Sequence, residues 1–211
     1  YQEIDQGQIM RDAGYTEEQI DMVIQESVGN AQELRKYYLE ASKAHEGVAG
    51  LFLTHIFESP NGWADGWFDD LYRPHFDADY IKMSAGENAL LLPRDSSNFK
   101  AGQEQTLTPA ISLYGGTSLE NAELRYALLD GENSVLSGTA QTGITLENGN
   151  YYTLAPLTVA FPDSAEAVRY TLRLELVQGG EALTKNEWSL WGCPLDSLDK
   201  AGLSGKKIQV Y

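Results

Sequence analysis

Glu58, Asp65, Asp69 and Asp70 share one short stretch of this chain with Trp63 and Trp67, inside the segment Gly50 to Pro74 that reads GLFLTHIFESPNGWADGWFDDLYRP. Two carboxyl groups, one protonated and one ionised and held roughly 5 to 10 Å apart, are what glycoside cleavage requires. Indole faces stack on sugar rings, which makes Trp63 and Trp67 candidate substrate contacts, and His55, at the end of the apolar run, is a polar side chain placed to join them. Each has a plainer alternative. Asp69 or Asp70 pairs with Arg73 to fix the loop, or caps a helix start, with Asp65 counted among the loop-fixing residues. The tryptophans pack one domain against another, and His55 is a hydrogen-bonded structural residue.

Other side chains offer less. His45 and His75 have no partner at metal-ligand spacing and Cys193 is the single cysteine, so no zinc set forms. The acids and amides of Asn61 to Asp70 do not follow the calcium-loop template. Gly115-Gly116 and Gly179-Gly180 are turn formers without the context of a phosphate loop. The expectation is therefore no cofactor and no metal.

These residues need elements to position them. Gly50-Leu51-Phe52-Leu53 has no apolar/polar alternation, as in a strand covered on both faces, and ligands gather at the carboxyl ends of such strands. Upstream, Thr16-Glu17-Glu18-Gln19 has the layout of a capping box and starts a helix with Ile20, Val23 and Ile24 on one face. Gly29-Asn30 is expected to stop it, with Asn30 capping a second helix whose stripe is Leu34, Tyr37, Tyr38 and Ala41, ending near Gly47. A strand over Val48 to Phe57 and a helix over His75 to Ala85 follow.

From Glu87 the period changes to two. Val168, Tyr170, Leu172, Leu174 and Leu176 alternate with polar residues, as do Leu124, Tyr126 and Leu128. Leu107, Pro109, Ile111 and Leu113 do the same, with Pro109 marking an edge strand or a bulge. Turn signals stand at Gly115-Gly116, Asp130-Gly131, Asn148-Gly149 and Gly179-Gly180. About seven strands between Asn88 and Pro194 suit an immunoglobulin-like antiparallel sandwich without its disulfide. Trp188 and Trp191, three apart on a strand, point to opposite faces, one to the core and one to an interdomain contact. The tail holds a short helix at Leu198 to Ala201 and then the start of a strand.

The 211 residues carry a net charge of -16 and 42% hydrophobic residues. That is enough to bury a core, and the charge argues against nucleic acid and anionic membranes as partners. No apolar run reaches the roughly 20 residues of a membrane helix, and no signal-peptide layout opens the chain. The compartment, cytoplasmic or exported, stays open. The start at Tyr1-Gln2-Glu3-Ile4, without methionine, gives the expectation of a piece of a longer chain or a processed product.

The order of features resembles the carboxyl-terminal part of family 2 glycoside hydrolases. There the last strand of a TIM barrel leads into a tryptophan-bearing loop and a DG-x-x-D-x-x-x-R-P segment, matched here by Asp65, Gly66, Asp69, Arg73 and Pro74. The sandwich that follows closes, in some members, on N-x-W-x-x-W-x-x-P, matched by Asn186, Trp188, Trp191 and Pro194. The resemblance covers about Gly29 to Pro194. It implies that the parent hydrolyses O-glycosidic bonds with two glutamates on earlier barrel strands that this chain lacks, so that Glu58, Asp65, Asp69 and Asp70 are not the catalysts. It also implies that an aromatic of the loop Ser59 to Asp70 meets the sugar.

The resulting expectation is an α+β, mostly β chain: 1–86 with the final barrel strand and helix, 87–195 as the sandwich, and 196–211 as a tail or the start of a further domain. Its function is that of a non-catalytic fragment of a glycosidase, reaching carbohydrate through the parent. Its lone barrel strand, with unpaired edges, would be hidden by the chain's own helices or by a second copy in a homo-oligomer. Two rivals stand beside it: a carbohydrate- or protein-binding module with Trp63 and Trp67 as a platform, and a small independent hydrolase using Glu58 with Asp65.

Overall fold

A computed structural model describes residues 6–45, 48, 67–68, 71–74 and 76–194. The expected strand at Val48 to Phe57, apart from Val48, and the tail from Leu195 lie outside the described residues. The chain divides into two compact units, Tyr1–Ala89 and Leu90–Tyr211. Strands dominate, with a few helices ahead of them, so the chain is α+β and mostly β.

Among its described residues the first unit holds three helices: α1 (Gln6–Asp12), α2 (Glu17–Lys43) and α3 (Ala78–Ala85). The short α1 has no counterpart in the sequence pattern. The Thr16 capping box forms in full, with Gln19 N–H donating to Thr16 Oγ1 at 3.2 Å and Thr16 N–H to Gln19 Oε1 at 2.9 Å. The expected break at Gly29-Asn30 is absent, because α2 runs unbroken for 27 residues. A helix-interior glycine costs only about 1 kcal/mol relative to alanine, too little to end a helix with a formed cap and good helix formers on both sides.

The expected stripe is also corrected. Leu34, Tyr37, Tyr38 and Ala41 are exposed, and Val23 and Ile24 with them, whereas Ile20, Lys36, Leu39 and Glu40 are buried. Helix α3 packs on the side that Lys36 and Glu40 occupy, and these two neutralise each other as a buried ion pair one turn apart. Counting apolar residues selects the opposite face. Helix α3 starts three residues later than expected, where the Asp77 side chain caps it by accepting from Asp79 N–H at 2.7 Å.

Among the described residues the second unit, with β1 beginning at its junction with the first, contains ten strands, where the turn signals give about seven. A three-stranded sheet runs β1 (Asn88–Leu91), β4 (Ala110–Leu113), β7 (Asn150–Thr153). A five-stranded sheet runs β2 (Asn98–Lys100), β10 (Glu181–Cys193), β9 (Val168–Gln178), β5 (Leu119–Asp130), β6 (Asn133–Leu146), and β3 (Glu104–Leu107) pairs with β8 (Leu157–Ala160). The additional strands are three or four residues long, too short to show a period of two.

Pro109 explains another difference. The apparent single strand through Leu107 and Leu113 is two strands in two sheets, β3 against β8 and β4 against β7, with Thr108-Pro109 as the crossing. A proline has no N–H for a ladder, so the chain changes partner there. The Pro109 carbonyl instead accepts from Leu154 N–H at 2.9 Å.

The long strands follow their patterns. Tyr170, Leu172, Leu174 and Leu176 of β9 are buried, and β9 sits between β5 and β10. Gly131 follows Asp130 in the β5–β6 hairpin and Gly179-Gly180 forms the β9–β10 hairpin, all three with positive φ. Leu90, Leu107, Ile111, Leu128, Val159 and Leu190, drawn from all three sheets, share one core.

Candidate functional site

The described residues between α2 and α3 are the place where sequence chemistry and structure meet. Of the residues expected there, Trp67 and Arg73 fall within the described structure; Trp63, His55, Asp65 and Asp69, and with them Glu58, Asp70 and His75, lie outside it. Phe68 and Pro74 form an isolated antiparallel bridge, which draws the ends of the turn together. Within that turn Tyr72 takes φ of 62°, a left-handed conformation uncommon for a bulky residue. Arg73 is exposed.

Trp67 is half-buried, and what holds it was not legible in the sequence. The Arg35 guanidinium, from the middle of α2, lies 5.9 Å from the indole centroid and 4.9 Å from the Phe76 ring centroid. A cation between two aromatic faces is attracted to the negative face of each ring. One turn on, Lys36 Nζ lies 5.9 Å from the Tyr80 ring while paired to Glu40. Two cations are thus lodged among three rings, in a chain that is strongly acidic overall.

A small cavity lies among these groups, lined by Arg35, Lys36, Trp67, Phe76 and Ser84. Its free space is about that of one water. The Ser84 hydroxyl, buried in its wall, has no hydrogen-bond partner among the described residues. At the end of α2, Lys43 donates to the Gly86 carbonyl at 2.7 Å, at the C-terminus of α3, where a cation complements the helix dipole. Burial pushes the Lys43 amine below the usual lysine range, partly offset by Glu87.

The arrangement fixes an indole from below and leaves part of it accessible. Among the described residues no cluster of histidine, cysteine, aspartate or glutamate is suited to hold a metal ion. Arg35 and Phe76 had no distinguishing signal in the sequence. Lys36 and Glu40 did, as opposite charges one turn apart, though that spacing usually marks a solvated helix face.

The other motif is built into the second unit. Asn186 and Trp188 of β10 are buried, and Trp191 is 39% exposed on the other face, as the spacing predicts. The Asn186 amide donates to the Leu90 carbonyl at 2.7 Å, and its Oδ1 accepts from Glu187 N–H at 2.8 Å. Since β10 and β1 belong to different sheets, Asn186 ties β10 to β1 across the core. Cys193 is a free thiol. Among the described residues no helix is long and apolar enough to cross a membrane.

The fold and site together define an α+β, mostly β chain in which a tryptophan, Trp67, is held against a helix of the first unit. Within it, residues 103–194, less than half the chain, match a family described as "Domain of unknown function (DUF8488)". No curated protein matches the chain. Among solved structures, the sporulation control protein Spo0M of Bacillus subtilis is similar over 51% of this chain and 50% of its own, at 17% identity and a TM-score of 0.38. Glycoside hydrolases are among the neighbours. Beta-glucuronidase of Parabacteroides merdae aligns over 49% of this chain and 13% of its own, at 21% identity and a TM-score of 0.33. Beta-glucosidase of Listeria innocua aligns over 71% and 21%, at 12% identity and a TM-score of 0.35. The chain thus spans half of Spo0M and an eighth to a fifth of these glycosidases, and at such scores none of them argues for an activity.

Proposed function

We propose that this chain is the non-catalytic carboxyl-terminal portion of a family 2-like glycosidase, in which an immunoglobulin-like sandwich follows the last unit of a TIM barrel. The parent hydrolyses O-glycosidic bonds with two glutamates encoded upstream, and the loop Ser59 to Asp70 forms part of the pocket rim. Trp67 is the sugar contact we assign among the described residues, with Trp63 and His55 as the further candidates and Asp65, Asp69 and Arg73 as the loop-fixing residues. The supporting observation is the state of Trp67: half-exposed, immediately before a turn closed by Phe68 and Pro74, with Arg35 beneath its ring. An indole so fixed offers a flat apolar face without the entropic cost of ordering it on binding.

The test is to extend the coding sequence upstream of Tyr1 and assay both proteins with aryl glycosides of several sugars. The longer protein is expected to turn over at least one of them, with Trp67→Ala raising KM, and the 211-residue chain none. An upstream region without a barrel and its two glutamates would sink the proposal. Turnover by the short chain would point instead to a small independent hydrolase. Binding of the short chain on a glycan array, lost in Trp67→Ala, would favour a stand-alone carbohydrate-binding module.

A further inference from the structure

Trp191 is the aromatic side chain that β10 turns outward, and its neighbours in the five-stranded sheet set the chemistry around it. Strand β9 buries Tyr170, Leu172 and Leu174, so the residues between them, with Arg169, line the outer face of the sheet. Register places Trp191 between Arg169 of β9 and Asn98 of β2, both exposed, and side chains opposed in this way stand about 5 Å apart at Cβ. Lys100, opposite Cys193, is the diagonal neighbour of Trp191 on the same face, within reach of a long side chain.

This face runs against the charge of the chain, which is -16 overall. Along it Arg125 pairs with Glu123 at 2.9 Å, Arg173 pairs with Glu187 at 2.6 Å, and Lys185 stands opposite Glu175. Its other two bases, Arg169 and Lys100, have no ion pair among the described residues, and these are the two beside Trp191. Arg169 Nε and Nη2 donate to the Ser189 hydroxyl at 3.2 and 2.7 Å, which holds the guanidinium along the sheet and leaves its remaining N–H donors for an anion.

We propose that this end of the outer face binds an acidic saccharide, with a sugar ring stacked on Trp191 and its carboxylate or sulfate held by Arg169 and Lys100. A flat indole takes the C–H face of a sugar, the Asn98 amide serves hydroxyls as donor and as acceptor, and the guanidinium fork matches a planar or tetrahedral oxyanion. Strand shape disfavours a peptide: the edge of β10 is taken by β2, and β2 is three residues long, too short an edge to template an added strand. Repulsion from the distant acids is screened at physiological salt, while the contact pairs are not. The site lies within the second unit and stands whether or not the parent is a glycosidase.

Calorimetric titration of the 211-residue chain with trigalacturonate, a heparin-derived tetrasaccharide and neutral maltotriose is expected to give a Kd of about 1 mM or below for at least one acidic ligand. Maltotriose should bind at least about tenfold more weakly, and the two acidic ligands distinguish carboxylate from sulfate. Trp191→Ala and Arg169→Gln replace exposed side chains, so each should leave the circular dichroism unchanged while weakening binding at least about tenfold. Lys100→Gln repeats the charge test from the other side of the indole, and Trp67→Ala, in the first unit, should leave the affinity unchanged. No binding of either acidic ligand up to about 10 mM would overturn the proposal. So would equal affinity for maltotriose, or affinity that survives in folded Arg169→Gln and Lys100→Gln. Binding lost in Trp67→Ala rather than Trp191→Ala would overturn it in favour of the first unit, and tighter binding of hexaglutamate would overturn it in favour of an acidic polypeptide.

Discussion

Replacing Asn186 tests how the mostly β unit is held together. Its amide reaches from β10 to the Leu90 carbonyl of β1, an outer strand of the other sheet, and both residues are fully buried. In Asn186→Leu the carbonyl loses this donor and the Glu187 N–H loses its 2.8 Å acceptor. An orphaned buried polar group costs about 1–3 kcal/mol, and a lost hydrogen bond at a half-buried site about 1 kcal/mol. The added apolar burial of leucine offsets part of this, leaving a net loss of about 2–3 kcal/mol. With a urea m-value of about 1–2 kcal/mol/M, the midpoint followed by far-UV circular dichroism falls by roughly 1–3 M.

Asn186→Asp sharpens the test. At neutral pH the ionised carboxylate has no proton to give Leu90 and is buried as a charge, so the loss rises to about 3–5 kcal/mol. Its folded-state pKa is therefore raised above the unfolded value. The protonated form can donate to Leu90, so the variant's stability relative to wild type is greatest below the unfolded pKa of about 4 and declines as pH rises through the folded pKa. A loss below about 0.5 kcal/mol for Asn186→Leu, or an Asn186→Asp variant with no such pH dependence, would refute the reading of Asn186 as a clamp between sheets.

Helix α2 offers two further tests. Gly29→Ala should stabilise it by about 0.5–1 kcal/mol, because an added Cβ meets nothing within 4 Å, and a lower thermal midpoint would contradict this. Thr16→Ala removes the capping hydroxyl and should cost about 1 kcal/mol, measured by helical ellipticity against urea. Lys43 and Tyr170 shift in opposite directions and give opposite slopes in alkali. Burial lowers the Lys43 pKa, so the folded state binds fewer protons than the unfolded, and this contribution to stability rises with pH up to the usual lysine value of 10.5. Burial, aided by Asp130, raises that of Tyr170, so stability falls as pH passes above the usual tyrosine value of 10.0. Comparing Lys43→Gln and Tyr170→Phe with wild type between pH 8 and about 11 separates them; slopes of the same sign would refute the assignment.

Trp67 and Arg35 show the limit of reading this chain as a string. The tryptophan declared itself by type and by its acidic, glycine-rich surroundings, but Arg35 lies far upstream on a helix that looked amphipathic in the wrong sense. Periodicity weighs apolar residues by count. It has no means of knowing that α3 covers the side where Lys36 and Glu40 cancel each other's charge, leaving Leu34, Tyr37 and Tyr38 in solvent. Pro109 shows the same limit in the sheets, where an alternating run proved to be two strands with different partners.

Local interactions were fixed by the sequence alone: the Thr16 capping box, the glycine turns of both hairpins, the alternation that buries one face of β9, and the opposed faces of Trp188 and Trp191. Each depends on residues a few positions apart, whose geometry the backbone dictates. Partner choice depended on the tertiary structure: which face of α2 is covered, where β3 and β4 part, what holds Trp67, and why Asn186 precedes Trp188. Those outcomes turn on desolvation and hydrogen bonding between groups as far apart as Leu90 and Asn186, and only the folded chain brings them within reach.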